Sequence, residues 1–268
     1  ENDLTVKANK RTFIFSKKDG QLKGVSVDNR KISFANGPRF IGARRADRSL
    51  DQFYNHDDEK AKEKDRTYSE FPDAAVFTKL DVKQDGGDLV VTANYKLGNL
   101  DKAQWTINPS GDLALDYTYN FSGVVDLMGI RFDYPEDQVI SKRWLGAGPY
   151  RVWQNRIHGT QYDVWENDYN DPIPGETFTY PEFKGYFGDV SWMNIQTKEG
   201  TISLTNETPD AYIGVYQPRD GRDRLLYTLP ESGISVLNVI PPVRNKVNST
   251  DLCGPSSQPK WVNGPQTG

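Results

Sequence analysis

Apolar and polar residues alternate strictly along one segment near the middle of the chain. The apolar positions are Leu113, Leu115, Tyr117, Tyr119 and Phe121. This period of two residues is typical of a β-strand with one buried face, because successive side chains point to opposite faces of a sheet. The turn sequence Asn108-Pro109-Ser110-Gly111 precedes the segment, and an apolar run ending at Ile107 precedes that turn. The pattern therefore predicts a β-hairpin.

Short apolar runs separated by turn residues recur through most of the chain. Turns are predicted at 18–20, 28–29, 85–88, 198–200 and 220–221, each next to runs rich in β-branched or aromatic residues. The length of 268 residues allows one large or two small domains, since all-β domains of roughly 200–250 residues often form one unit. We predict an all-β protein, a large antiparallel β-supersandwich, as a single domain over residues 1–268.

Two segments depart from this pattern. Residues 44–66 are highly charged and have no apolar stripe, which favours a solvated insertion, partly helical or mobile, over a binding element. Residues 135–192 are rich in Pro, Gly and aromatic residues and contain few alternating runs. We predict that this second segment is an aromatic-rich loop region, and long loops often carry function.

Twelve aromatic residues lie between Trp144 and Trp192. An aromatic ring with an exposed face can stack on the apolar face of a pyranose, and neighbouring polar groups can bind its hydroxyls. The predicted saccharide-binding residues in this region are Trp153, Tyr150, Arg151, His158 and Trp165. The alternative is that the rings fill a core, because large aromatic side chains are mostly buried, and that His158 is structural.

The composition argues against several classes of partner and chemistry. A formal net charge of -4 gives no basic field for nucleic acid, and no apolar run approaches the roughly 18 residues of a membrane span. The single cysteine, Cys253, excludes an internal disulfide and a CxxC zinc site. No hydrolase, zincin or nucleotide-binding motif occurs, so the sequence indicates no catalytic residue. A neutral sugar is a better candidate ligand for a chain of this composition than nucleic acid.

No metal or other cofactor is expected, with one weak alternative. Acidic and amide side chains between Asp163 and Asp171 could supply oxygen ligands to Ca²⁺. Their spacing matches no calcium loop, and a polar turn before Pro172 explains the pattern equally well.

Three segments resemble the C-terminal domain of family 2 glycoside hydrolases of the β-galactosidase type. Residues 144–156 are similar to the W-x-G-x-G-P-x-E-N-Y-x-D-R segment of that family, with Arg151-Val152-Trp153 in place of Glu-Asn-Tyr. Residues 13–25 are similar to the opening hairpin of that domain, and residues 39–47 to its N-F-W-R-A-P-T-D stretch. Trp153 thus stands where the family has Tyr, and Asp47 remains from an acidic triplet.

The resemblance implies a galactose-mutarotase-like β-sandwich whose loops help form the sugar pocket of a catalytic barrel encoded upstream in the same polypeptide. It adds Asp47 to the predicted saccharide-binding residues. Arg156 matches an arginine of the family, and we expect it to hold the loop through an ion pair with Glu166 or Asp168 in preference to contacting a ligand. The resemblance also favours a periplasmic or secreted bacterial location.

Three functions remain open. The first is an accessory domain of a larger glycosidase, not catalytic by itself, that contacts an oligosaccharide or polysaccharide. The second is an independent carbohydrate-binding module, which needs exposed rings on one face. The third is a mutarotase-type epimerase, which needs a histidine and a carboxylate in one pocket.

Overall fold

The chain forms eighteen β-strands within the residues that the computed structural model describes, which are 2–45, 68–168, 185–215, 233–242 and 254–268. The strands are β1 (Asp3–Ala8), β2 (Arg11–Ser16), β3 (Leu22–Val27), β4 (Arg30–Ile32), β5 (Ala35–Arg45), β6 (Tyr68–Glu70), β7 (Val76–Asp85), β8 (Asp88–Lys96), β9 (Leu100–Ile107), β10 (Leu113–Val125), β11 (Leu127–Asp133), β12 (Val139–Gly148), β13 (Gln161–Asp168), β14 (Trp192–Thr197), β15 (Gly200–Thr205), β16 (Tyr212–Val215), β17 (Ile234–Val239) and β18 (Lys260–Thr267). Helical structure in these ranges is limited to two short 3-10 turns, Glu136–Gln138 and Pro255–Ser257. No helix among the described residues is long and apolar enough to cross a membrane.

The strands form three antiparallel sheets. The nine-stranded sheet has the order β1-β2-β3-β5-β11-β17-β16, with β4 beside β3 and β6 beside β5. The five-stranded sheet has the order β18-β10-β9-β8-β7, and the four-stranded sheet has the order β13-β12-β14-β15. The predicted all-β, antiparallel supersandwich is therefore confirmed.

Both smaller sheets pack against the same face of the nine-stranded sheet. Phe40 of β5 and Ile130 of β11 meet Trp105 and Tyr119 of the five-stranded sheet in one core. Ile130 is paired with Val236 of β17, and Val236 with Ile213 of β16. Cross-strand partners share a face, so Ile213, which packs with Trp144 and Met193 of the four-stranded sheet, extends the same apolar face. We call this the inner face of the nine-stranded sheet.

A third apolar cluster covers part of the opposite, outer face. Ile41, Leu127 and Leu237 lie there and pack against Trp153 and Tyr186. The segment that carries Trp153, residues 149–158, is attached by paired backbone hydrogen bonds of 2.7 and 2.8 Å between Val152 and Tyr186. This segment therefore packs onto the sheet as a fixed layer.

The period-two segment forms β10, and its five apolar residues all lie in the core beneath the nine-stranded sheet. The predicted turns at 18–20, 28–29, 85–88 and 198–200 each join neighbouring antiparallel strands. The predicted turn at 220–221 lies outside the described residues. So does the charged insertion from residue 46 onward, whereas Arg44 and Arg45 belong to β5.

The prediction of a loop region over residues 135–192 was wrong for much of its length. Val139–Gly148 and Gln161–Asp168 are strands β12 and β13, and β14 begins at Trp192. The alternation of apolar and polar residues in β12 is not visible in the sequence, because several inward positions lack a large apolar side chain. These positions are occupied by Lys142, which is buried and polar, and by Gly146 and Gly148. At Gly148, for example, a Cβ atom would overlap the Trp165 indole.

Candidate functional site

Two arginines lie side by side on the outer face of the nine-stranded sheet. Arg39 of β5 is paired with Arg131 of β11, and Arg131 is paired with Ser235 of β17. The next row on this face, Ile41 and Leu237, lies under the layer formed by residues 149–158. The arginine row is thus the first polar row beyond the covered apolar part of the face.

Acidic and amide groups surround the two arginines. Arg39 binds a carboxylate oxygen of Asp133, and its Nε donates to the Asn36 carbonyl oxygen at 2.9 Å. The Asn36 side chain donates to the other Asp133 oxygen at 2.8 Å. Arg131 lies 3.5 Å from a carboxylate oxygen of Glu70. The two contacts of Arg39 fix the orientation of its guanidinium group, since a bound carboxylate restricts the arginine fork.

Asp73 also lies beside the two arginines, because the chain follows the edge of β5 after the end of β6. Phe71 donates to the Gly42 carbonyl at 2.8 Å, so the chain continues along the edge of β5 past the last residue of β6. Asp73 then accepts hydrogen bonds from the backbone N–H groups of Ala75 and Phe40. Its carboxylate occupies the gap between β3, which is paired with β5 at Gly37, and β6.

Asp73 is exposed, yet the protein around it raises the pKa of its carboxyl above the ordinary value of 3.8 by removing water. The two backbone hydrogen bonds and the positive charges of Arg131 and Arg39 partly oppose this increase. We call Asn36, Arg39, Glu70, Asp73, Arg131 and Asp133 the charged cluster.

A polar cleft of about 370 Å³ adjoins the charged cluster at Asn36. Its other walls come from the N-terminal hairpins, including Asp3, Asp19 and Lys23. Lys23 and Asp3 form an ion pair of 2.9 Å. The cleft thus presents acidic, basic and amide side chains, and it shares Asn36 with the residues around the two arginines.

The residues predicted to bind saccharide divide between the core and the surface. Trp153 is only 2% exposed and meets Tyr186 edge to face at 5.7 Å. Arg151 is also buried, with its guanidinium carbon 4.9 Å from the centre of the Phe187 ring. A stacking ring needs an exposed face, so for Trp153 the structure favours the core-filling alternative.

The remaining predicted residues do not converge on one site. Tyr150 is half-buried, and its hydroxyl lies 3.4 Å from the backbone oxygen of His158, which is exposed. Trp165 is half-buried at the inner side of β13, where its Nε1 donates to the Gln161 carbonyl at 3.3 Å. Asp47 lies outside the described residues. Sequence reasoning missed the charged cluster, although Arg39 lay within one of the matched segments.

The polar residues of segment 149–158 hold the C-terminal part of the chain. The Gln154 amide donates to the carbonyls of Ser256 and Gln258 at 3.0 and 2.8 Å. The predicted ion pairs of Arg156 with Glu166 or Asp168 do not form, and Glu166 instead lies 4.0 Å from Arg143. Arg156 is exposed at the end of the segment, where its backbone N–H donates to the Trp153 carbonyl at 2.8 Å.

The predicted calcium ligands fall partly outside the described residues. Asp163, Glu166 and Asp168 belong to β13, whereas residues 169–171 are not described. Asp163 accepts a hydrogen bond from the Val164 N–H at 2.7 Å. Within the described ranges, no three His, Cys, Asp or Glu side chains are grouped closely enough to hold a metal ion.

Comparison with known proteins gives one family and one similar fold. The model of the beta-galactosidase small chain family matches residues 7–239. The curated proteins gave no match. A solved structure of a galactose mutarotase-like protein from Lactobacillus casei ATCC 334 is similar over 99% of this chain and 97% of its own, at 11% identity and a TM-score of 0.47. The family match includes every residue of the charged cluster.

Proposed function

Since the chain belongs to the beta-galactosidase small chain family, we propose that it is a non-catalytic, saccharide-contacting part of a β-galactosidase-type glycoside hydrolase. In this proposal the outer face of the nine-stranded sheet adjoins the catalytic part of the enzyme, and the charged cluster forms one wall of its sugar pocket. The observation that carries the proposal is the family match together with this cluster, which lies on the face left open by segment 149–158.

The chemistry of the charged cluster supports contact with sugar hydroxyls. Carboxylates accept hydrogen bonds from hydroxyl groups and guanidinium groups donate to them. Arg39 and Asp133 orient one another, so a bound sugar would not have to order either side chain, which lowers the entropic cost of binding. The pairing of the charges also suits a neutral ligand better than an ion.

Segment 149–158 has a supporting role in this proposal. Its buried ring, Trp153, and its paired backbone at Val152 hold the layer beside the charged cluster. Because the segment covers Ile41 and Leu237, the part of the outer face that it leaves uncovered begins at the row of Arg39 and Arg131. The segment most similar to the family therefore acts through the shape of the site, and its buried side chains do not contact sugar.

The test is titration of the purified chain with lactose and methyl β-galactoside, followed by NMR or calorimetry. We expect weak, saturable binding, because one wall of a pocket supplies only part of the contacts. Arg39→Gln should lower the affinity at least several-fold, since it removes the charged hydrogen bonds to Asp133 and to the sugar.

Arg11→Gln is the matched control, because Arg11 also forms an ion pair, with Asp112 at 2.7 Å, but lies on β2, which β3 separates from β5 in the sheet. It should bind as the unaltered chain does. The proposal fails if neither sugar binds, or if Arg39→Gln and Arg11→Gln bind equally well.

A further inference from the structure

The four-stranded sheet has an outer face that no described strand covers. Its inner face, with Trp144 and Met193, packs on the nine-stranded sheet. By register, Val164, Leu145 and Trp192 are cross-strand partners and lie together on the opposite, outer face. Tyr162, two residues before Val164, lies on the same face.

Tyr162 lies flat on this face. It is paired with Ala147 of β12, and its hydroxyl is 2.6 Å from the Ser191 hydroxyl, just before β14 on the far side of β12. Neighbouring strands lie about 4.8 Å apart, so the phenol must extend across β12 along the sheet surface to reach Ser191. The residue is nevertheless 59% exposed. One face of the ring is therefore held parallel to the sheet and open to solvent.

The surroundings of Tyr162 combine apolar surface with neutral hydrogen-bonding groups. Val164 is 41% exposed, and Leu145 and Trp192 are partly exposed. The next row of cross-strand partners on this face, two residues further along each strand than Val164, Leu145 and Trp192, consists of Glu166, Arg143, Asn194 and Ser203. Its two charged groups, Arg143 and Glu166, lie 4.0 Å apart and offset each other. The row after that adds one further carboxylate, Asp168, at the end of the face away from Tyr162, so the charges in the row nearer to Tyr162 balance.

We propose that this face, Tyr162 with Leu145, Val164 and Trp192, is a second saccharide-binding surface that takes a chain of neutral pyranose units. The apolar face of a sugar ring stacks on Tyr162, and the hydroxyls of units further along the sugar chain bind Asn194 and Ser203. The anchored ring loses little conformational freedom on binding, which is the feature that makes a preformed aromatic platform effective.

The area of the patch favours a sugar chain over a protein. A stable protein interface buries roughly 800 Å² on each partner and involves about 20–30 residues a side. This patch has four apolar side chains with small polar residues directly beside them. That arrangement matches the size and the alternating polarity of a few sugar units. The inference adds a polymer-binding surface to the proposed function and does not depend on the charged cluster.

The test is affinity electrophoresis of the full chain in native gels containing galactan, glucan or xylan. At least one of these polymers should retard the unaltered chain. Tyr162→Ala should weaken the binding about tenfold or more, because it removes the stacking surface. Tyr162→Phe should weaken it only a few-fold, because the ring remains but its anchor to Ser191 is lost.

Trp261→Ala is the matched control, since Trp261 is an aromatic residue with 71% exposure on β18 of another sheet. It should be retarded like the unaltered chain.

The inference is overturned if no polymer retards the chain, if Tyr162→Ala is retarded normally, or if Tyr162→Ala only abolishes a concentration-dependent dimer. Should Tyr162→Ala fail to fold, unchanged retardation of Tyr162→Phe and of a Val164→Ser variant would overturn it equally. The test of the charged cluster uses short sugars and other variants, so the proposed function and this further inference can fail independently.

Discussion

Trp153 shows how one side chain connects the family segment to the sheet. Its indole fills the space between Ile41 and Leu237 on the sheet and Tyr186 in the layer above. Burial of a large aromatic side chain is among the strongest single contributions to packing. The position of the whole layer therefore depends on this ring.

Trp153→Ala should destabilise the protein by about 3–5 kcal/mol, the usual cost of removing a buried tryptophan side chain. Chemical denaturation followed by far-UV circular dichroism would measure the change. Trp261→Ala, at an exposed ring, should change the stability by less than about 0.5 kcal/mol. An unaltered denaturation midpoint for Trp153→Ala, with saccharide binding lost, would restore Trp153 to a binding role.

The sequence could identify the aromatic-rich region but not which of its rings are exposed. Trp153 and Tyr162 are both large aromatic residues followed directly by a polar residue, Gln154 and Asp163 respectively, and this local pattern does not distinguish them. Their burial is decided by which face of which sheet they meet. Trp153 meets the apolar row at Ile41, whereas Tyr162 is paired with Ala147 and reaches Ser191 on an uncovered face. That difference arises from pairing between distant strands.

At the scale of the elements, the β14–β15 hairpin attaches the four-stranded sheet to the nine-stranded sheet. Glu199, in the turn of this hairpin, accepts hydrogen bonds from the Ser33 hydroxyl at 2.6 Å, the Ser33 N–H at 3.0 Å and the Tyr134 hydroxyl at 2.9 Å. Partial burial alone would raise the pKa of Glu199, but these bonds and the charge of Lys31 hold it below its ordinary value of 4.5. Burial, with Glu199 nearby, raises the pKa of the Tyr134 hydroxyl to about 12.

Glu199 should make the stability depend on pH in the acid range. A carboxyl whose pKa is lowered by folding stabilises the protein above its unfolded pKa, and this contribution disappears as the pH falls through the folded pKa. Glu199→Gln should therefore lower the melting temperature at pH 7, and the difference from the unaltered chain should shrink below about pH 4.5. Thermal melts across this range would measure it.

Glu207→Gln provides the control, because Glu207 is an exposed carboxylate that follows the same hairpin. Its melting curve should follow that of the unaltered chain at every pH. A Glu199→Gln variant with the same deficit at pH 7 and below pH 4 would contradict the assignment of the pH dependence to this group.

The predictability of the elements varied with how their residues alternate. β10 was predictable because its apolar residues alternate without a break and a strong turn signal precedes it. β13 was not, because its outward residues Tyr162 and Val164 and its inward residue Trp165 are all apolar. β18 was also missed, since Gly264 and Pro265 interrupt it. It forms because β10 offers an unpaired edge that residues 260–267 can fill.

At the scale of the whole molecule, two acids of the charged cluster are already paired with basic groups. Glu70 and Asp133 are both engaged by arginines, whereas glycoside hydrolysis usually uses two carboxyl groups placed on either side of the scissile bond. In the proposed function these two acids bind the ligand and do not catalyse.

The purified chain should therefore not hydrolyse p-nitrophenyl β-galactoside above the rate in buffer. Release of p-nitrophenolate, monitored with high protein concentration over many hours, would measure this. A Glu70→Gln and an Asp73→Asn variant serve as controls against a contaminating enzyme. A rate that persists through purification and falls in either variant would show that the chain is catalytic.

The charged cluster could not be predicted because its members are distant in sequence. Arg39 and Asp133 are separated by 94 positions, and the strand order β5-β11 brings them together. A sequence without related sequences for comparison gives no signal for such a pairing. The fold class, by contrast, followed from local alternation, which each strand carries independently.

The pairing of β18 with β10 has a consequence for the synthesis of the protein. Ser122 of β10 binds Asn263 of β18 across 141 positions of sequence. While the polypeptide emerges from the ribosome, β10 therefore has an open edge until residues 260–267 have been translated. Open edges recruit other strands and promote aggregation. The nascent chain is thus most exposed to misassembly during translation of its second half, the period in which chaperones would be most needed.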